Sequence, residues 1–134
     1  MRAVLRTPVL AGLVGRRLAV LEVVGRRSGR RFEVPVAYTP LGEVLLIGTQ
    51  FAWGRNLRTG EPVSIRLRGR RRVADVEVLT GEDDVVAAYA VMARDNHGFA
   101  GFNGIGFDER GEPVAEDLRL AWAAGARAFR LTPR

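Results

Sequence analysis

Between Leu18 and Leu79 the chain alternates short β-type runs with glycine-bearing turns, and this strand–turn rhythm restricts it to a largely antiparallel β architecture. Residues 18–24, LAVLEVV, are almost continuously apolar and read as a buried strand with Glu22 inside it. A buried carboxylate needs a partner, and arginine is plentiful, so an ion pair is expected there. In residues 31–38, Phe32, Val34, Val36 and Tyr38 fall on one face. PLGE at 40–43 reads as a turn and residues 43–49 as a third strand. Residues 53–59, WGRNLRT, lack alternation and read as a short helix or turn closed by Gly60.

PVSIRLRGRRRVADVEVLT reads as a hairpin turning at Gly69. Val63, Ile65 and Leu67 face one way, and Ser64, Arg66 and Arg68 the other; Ala74, Val76 and Val78 then alternate with Asp75 and Glu77. Arginines on the first strand are expected to pair with acids on the second across the solvent face.

Helices follow. Thr80 to Asp83 fits a capping box. Val85, Tyr89 and Met92 recur at helical spacing, and Val86 and Ala93 widen the stripe. DNHGFAGFNGIGFDERGEP reads as a glycine-rich structured loop with a helical turn, suited to a mobile flap. Its Phe99, Phe102 and Phe107 could line an apolar pocket or seal a barrel mouth. Residues 115–124 form a second short helix with Leu118 and Trp122 on one side, and ARAFRLTPR closes the chain as a strand. Strands first, then helices, then one last strand fits an antiparallel barrel with helices packed outside it.

At 134 residues and 47% apolar, residues 1–134 suit one domain with one core. Residues 1–17 form an N-terminal arm, with a short helix or an irregular path over 3–15. Its early positive charge and apolar run resemble a signal peptide, but Pro8 interrupts the run and Arg16 and Arg17 follow at once. A cytoplasmic protein is therefore expected, soluble or peripheral to a membrane, and the apolar arm could serve a membrane surface or a homodimer. No apolar stretch is long enough to cross a bilayer.

The net charge is +6, and all 21 cations are arginine. A planar guanidinium binds carboxylate and phosphate through two parallel hydrogen bonds, so an anionic partner is expected. The lack of cysteine excludes disulfides and thiolate catalysis, and a single histidine, His97, excludes a histidine-based metal site. No metal is expected.

Three motifs and two single residues remain as candidates for chemistry. GRRSGRR, residues 25–31, offers close-approaching glycines, the Ser28 hydroxyl and the guanidinium groups of Arg26, Arg27, Arg30 and Arg31. It lacks the GK[ST] ending of a P-loop, and a strand follows where a dinucleotide fingerprint needs a helix. Spacing alone favours a solvated hairpin turn over an anion cradle. In WGRNLRTG, Trp53 can wall a flat ligand, and Asn56 can bond a loop backbone or a heterocycle edge. Equally, Trp53 and Leu57 can form the apolar face of a short helix. GRRR, residues 69–72, reads as a solvated tip, because the aromatics that nucleic-acid binding needs are few and lie at core-like positions. His97 and Tyr89 are the weak candidates for proton transfer; a histidine after a helix is more often a capping or surface residue. No nucleophile–base pair is visible, so any catalysis belongs to a cofactor that the protein binds and orients.

VLEVVGRRSGRRFEVPVAY followed by WGRNLRTGEPVSIRLRGRRRVADVEVL resembles the deazaflavin-dependent nitroreductase family of actinobacterial oxidoreductases, from about Leu18 to Leu79 and more loosely beyond. The resemblance implies a split β-barrel related to FMN-binding barrels. It also implies coenzyme F420, a deazaflavin with a phospholactyl and polyglutamate tail, which passes hydride to a quinone, nitroaromatic or other small, apolar, electron-poor acceptor. It assigns the phosphate and acidic tail to Arg26, Arg27, Ser28, Gly29 and Arg31, the ring's neighbourhood to Val34, Pro35 and Val36, and the frame of the site to Trp53, Asn56 and Leu57. Arg27 stands where the family usually has lysine, and RTGEPV replaces the family's A-N-P continuation. An FMN-binding oxidoreductase and a non-catalytic flavin-, haem- or lipid-binding barrel are the alternatives. A small basic nucleic-acid binder is a further class, and no nucleic-acid partner is expected.

Overall fold

A computed structural model describes residues 17–134; the arm expected over residues 3–15 lies outside the described residues. Seven strands form one antiparallel sheet: β1 (Leu18–Val24), β2 (Arg31–Ala37), β3 (Thr39–Leu41), β4 (Val44–Thr49), β5 (Val63–Leu67), β6 (Arg70–Leu79) and β7 (Arg127–Pro133). Their order across the sheet is β2-β1-β5-β6-β7-β4-β3. The two edge strands, β2 and β3, are consecutive in the chain and joined by Tyr38 alone. A flat seven-stranded sheet would hold its edges about 29 Å apart at about 4.8 Å per strand. A one-residue link forces the sheet to curl until its edges meet. The result is a split barrel with flanking helices.

The interior is filled by one residue in two from every strand but β3: Leu21 and Val23, Val34 and Val36, Leu45 and Ile47, Val63 and Ile65, Ala74 and Val76, Phe129 and Leu131. A second apolar layer lies outside, where α1 (Glu82–Asp95), α2 (His97–Phe102) and α3 (Ala115–Ala123) supply Val85, Tyr89, Met92, Phe99 and Leu118 against Leu46, Leu79 and Ala128. β4 therefore buries both faces, which accounts for its unbroken VLLIG.

Several expectations change. β1 is not buried on both faces; Leu18 and Val24 are exposed while Ala19, Leu21 and Val23 point inward. Glu22 is only half-buried, and it pairs with Arg31 at 3.8 Å. PLGE is not all turn, because Pro40 and Leu41 pair with β4. The capping box does not form: Gly81, not Thr80, is the N-cap of α1 and contributes no side-chain bond.

The expected ion pairs across the β5–β6 hairpin are absent because of register. Arg68 and Gly69 both have positive φ, 51° and 78°, as a two-residue type I′ turn requires. That turn sets Arg66 opposite Arg71 and places Asp75 and Glu77 beyond the end of β5. The acids instead meet β7 and the residue after it, with Glu77 bonded to Arg130 at 3.3 Å and Asp75 to Arg134 at 2.8 Å. Arg66 reaches over β1 to Glu33 at 3.7 Å.

Candidate functional site

The GRRSGRR loop joins β1 to β2 and is closed by Gly25 N–H to Arg30 O (2.8 Å) and Gly29 N–H to Gly25 O (2.9 Å). Ser28 Oγ accepts the Arg30 N–H at 3.1 Å. Arg26, Arg27, Ser28, Gly29 and Arg30 are all exposed, and neither Arg27 nor Arg30 has a carboxylate partner among the described residues.

WGRNL forms a 3-10 turn over Ala52–Asn56, and this turn is welded to the loop. Asn56 Oδ1 accepts the Arg26 N–H at 3.0 Å, and Asn56 Nδ2 donates to Trp53 O at 3.2 Å. Arg26 Nε donates to Arg55 O at 3.1 Å. Of the two roles open to Asn56, the structure shows the bond to the loop backbone. Trp53 stacks on Phe129 with ring centres 6.3 Å apart, and Leu57 is buried, so the turn's apolar side belongs to the barrel interior.

Two clefts flank the weld. The first, of about 510 Å³, lies at the end of β1 and β5 and is lined by Arg26, Gly29, Arg31, Asn56 and Leu57. Glu22 and Glu61 line it too, so its side-chain charge is mixed. The second is an apolar slot of about 70 Å³ in the split of the barrel, where Val34, Pro35 and Val36 of β2 face Gly48 and Thr49 of β4, with Trp53 beside them. Phe51 and Phe102 close it, their rings edge to face at 6.1 Å. β2 has one ladder neighbour, β1, and β3 pairs with β4 only at Val44–Leu46. Among the described residues, the slot therefore runs between two strand edges that have no ladder partner on that side.

β2 connects the two clefts. Arg31 lies at the loop cleft and Pro35 at the slot, about 13 Å apart at about 3.3 Å per residue. The structure thus brings together Arg26, Gly29, Arg31, Asn56 and Leu57 at one cleft and Val34, Pro35, Val36 and Trp53 at the other. Arg27 and Ser28 stay on the exposed rim.

The two proton-transfer candidates lie elsewhere. Tyr89 is fully buried under Gly48, donates to Arg127 O at 3.2 Å and lines neither cleft. Burial pushes its phenol well above the ordinary tyrosine range, so it stays protonated. His97 is exposed at the start of α2 with its ring 4.3 Å from that of Phe107. The N-cap of α2 is the buried Asn96, whose side chain accepts the Phe99 N–H at 3.1 Å. The glycine-rich segment is thus a capped helix followed by hydrogen-bonded turns. Phe99 and Phe102 reach the slot and Phe107 does not. Sequence reasoning missed Gly48 of β4 and, just beyond that strand, Gln50 and Phe51, and it did not single out Asn103 within the glycine-rich segment; all four line the slot.

Among the described residues no helix is long and apolar enough to cross a membrane. No group of three or more His, Cys, Asp or Glu side chains gathers there as a metal site.

No protein-family model matches the chain, and no curated protein matches it in sequence. Solved structures do. A protein of unknown function from Agrobacterium tumefaciens is similar with a TM-score of 0.57 and 17% identity, covering 93% of this chain and 53% of the other. The chain thus spans about half the length of that protein. A pyridoxamine 5'-phosphate oxidase-related, FMN-binding protein from Nostoc punctiforme has a TM-score of 0.55 and 15% identity, covering 98% of this chain and 78% of the other. An F420 reductase has a TM-score of 0.54 and 17% identity, covering 96% and 94%. At these identities the likeness establishes the fold, an FMN-binding-like split β-barrel.

Proposed function

We propose that this chain is an F420-dependent oxidoreductase that passes hydride from the reduced deazaflavin to a quinone, nitroaromatic or similar electron-poor acceptor. One observation carries the reading: an apolar slot between two strand edges, joined by β2 to an arginine-bearing cleft. That pairing fits a ligand with a flat heterocycle at one end and anionic groups at the other. Similarity to an F420 reductase and to an FMN-binding protein supports the class of cofactor.

The residues present fit such a cofactor. Backbone groups along the slot-facing edges of β2 and β4 offer donors and acceptors to a heterocycle edge. Val34, Val36 and Trp53 supply its apolar walls. Arg26 and Arg31 hold phosphate beside Gly29, and Arg27, Ser28 and Arg30 on the rim meet the acidic tail. A cleft of about 510 Å³ exceeds what a lone phosphate needs, which favours the longer tail of F420 over FMN. The deazaflavin, when bound, supplies the hydride. The chain's work is to hold donor and acceptor close in a dry slot. At about 70 Å³ the slot is smaller than a tricyclic ring, so Phe51 and Phe102 must part to admit it and then exclude water above it. With Tyr89 buried away from the slot, the proton for the reduced acceptor comes from water or a surface group such as His97.

The test is titration with F420 and separately with FMN, followed by addition of menadione or a nitroaromatic to the reduced complex. Micromolar binding of F420 with oxidation on addition of acceptor is expected. Failure to bind F420 would sink the proposal; FMN binding with turnover would transfer it to FMN, and binding without turnover would make the barrel a carrier. Arg27→Ala combined with Ser28→Ala is expected to weaken F420 binding with little change in melting temperature.

A further inference from the structure

A third cleft, of about 320 Å³, lies across the Thr49–Phe51 segment from the slot, between the end of β6 and the turn joining α3 to β7. Leu57, Val78 and Phe129 give it an apolar lining, and Arg55 and Arg127 give it charge. No carboxylate lines it. The loop cleft, by contrast, sets Glu22 and Glu61 beside Arg26 and Arg31. Of these two clefts, only the third carries arginine with no carboxylate in its lining.

Arg127 is held in place there. Its Nη1 donates to Ala126 O at 2.6 Å and to Trp122 O at 3.3 Å, and its guanidinium carbon lies 5.8 Å from the centre of the Trp122 ring. Trp122 is itself fixed by its indole N–H on Thr80 O at 2.9 Å. Nε and Nη2 of Arg127 make no hydrogen bond among the described residues. Arg55 approaches from the 3-10 turn; its carbonyl holds Arg26, and its side chain has no carboxylate partner among the described residues. Both guanidinium groups line the one cleft beside apolar surface, where charge interactions are screened less than in water.

We propose that this cleft binds an aromatic carboxylate, with the ring against Phe129, Leu57 and Val78 and the carboxylate between Arg55 and Arg127. Its volume falls within the range of about 300–1,000 Å³ usual for small-molecule sites. The site shares Leu57 with the loop cleft and the Thr49–Phe51 wall with the slot, but its arginines line neither, and nothing in its chemistry depends on hydride transfer.

The test is calorimetric titration of the full chain with 1-naphthoate and with the neutral 1-naphthalenemethanol. Naphthoate is expected to bind about tenfold tighter than the alcohol, as one charge-assisted hydrogen-bonded contact implies. Arg127→Ala should abolish that preference and Arg55→Gln should weaken naphthoate by about fivefold to tenfold. Arg31→Ala, at the loop cleft, should leave naphthoate binding unchanged while weakening F420. Equal affinity for the two probes, no naphthoate binding, or no effect of Arg55→Gln would overturn the site. So would loss of naphthoate binding in Arg31→Ala, which would assign the anion to the loop. Arg55 is exposed, so its variant keeps the test decisive even where Arg127→Ala lowers the melting temperature.

Discussion

Asn56 Oδ1 accepts the backbone N–H of Arg26 at 3.0 Å, tying together two segments thirty residues apart. The arginine loop is thereby fixed to the turn that carries Trp53, and the polar cleft is fixed relative to the apolar slot. Asn56→Ala removes both the acceptor for Arg26 and the donor to Trp53 O. A lost hydrogen bond costs about 1 kcal/mol, so F420 affinity should fall roughly fivefold or more while the fold survives. Asn56→Asp keeps the acceptor and should recover part of the loss. Equal affinity in Asn56→Ala and wild type would show that the weld does not set the cleft.

Phe51 and Phe102 meet edge to face over the slot, and both are largely exposed. Such a pair contributes about 0.5–1.5 kcal/mol, so Phe102→Ala should change stability by no more than about that amount. Stopped-flow release of F420 should become several-fold faster, because the closing ring is gone. An unchanged release rate would remove Phe102 from the entrance.

Gly48 sits beneath Tyr89. A Cβ on Gly48 would lie 2.7 Å from the phenol oxygen and 2.8 Å from two ring carbons, closer than such atoms pack. Gly48→Ala should destabilise the protein by about 1–3 kcal/mol in urea denaturation, the usual cost of overpacking. Adding Tyr89→Leu should make the pair less destabilised than the two single changes summed.

The Tyr89 phenol is pushed up by burial, the largest influence, with Arg127 pulling the other way. Its folded value therefore lies above the ordinary value of 10.0. Below that value both folded and unfolded chains are neutral at this site and its contribution to stability is fully present. As pH rises past it, the unfolded chain ionises first, and stability falls until the folded phenol ionises too. Urea midpoints should decline above pH 10, and Tyr89→Phe should flatten the decline while losing about 1 kcal/mol for the bond to Arg127 O. An identical alkaline decline in Tyr89→Phe would place the effect elsewhere.

Alternation, turn residues and helical spacing were enough to place β2, β5, β6, β7, α1 and α3, because each of those signals is local. They also separated inward from outward residues on β5 and β6, since a period of two assigns faces without knowledge of neighbours. Local signals failed where a partner decides the outcome. β1 and β4 are both apolar runs, yet only β4 has helices over its second face. Arg66 looked ready to meet Asp75, but register set it against Arg71 and left Glu33 as its partner.

The sequence by itself determined that this chain would be an antiparallel barrel bearing an arginine loop and a WGRNL turn. Tertiary structure alone decided that Asn56 would join those two segments, that the barrel would split between β2 and β4, and that Phe51 and Phe102 would cover the split. The physical reason is sequence distance. Residues 26 and 56, 34 and 48, and 51 and 102 meet only once a one-residue link at Tyr38 has curled the sheet edge to edge.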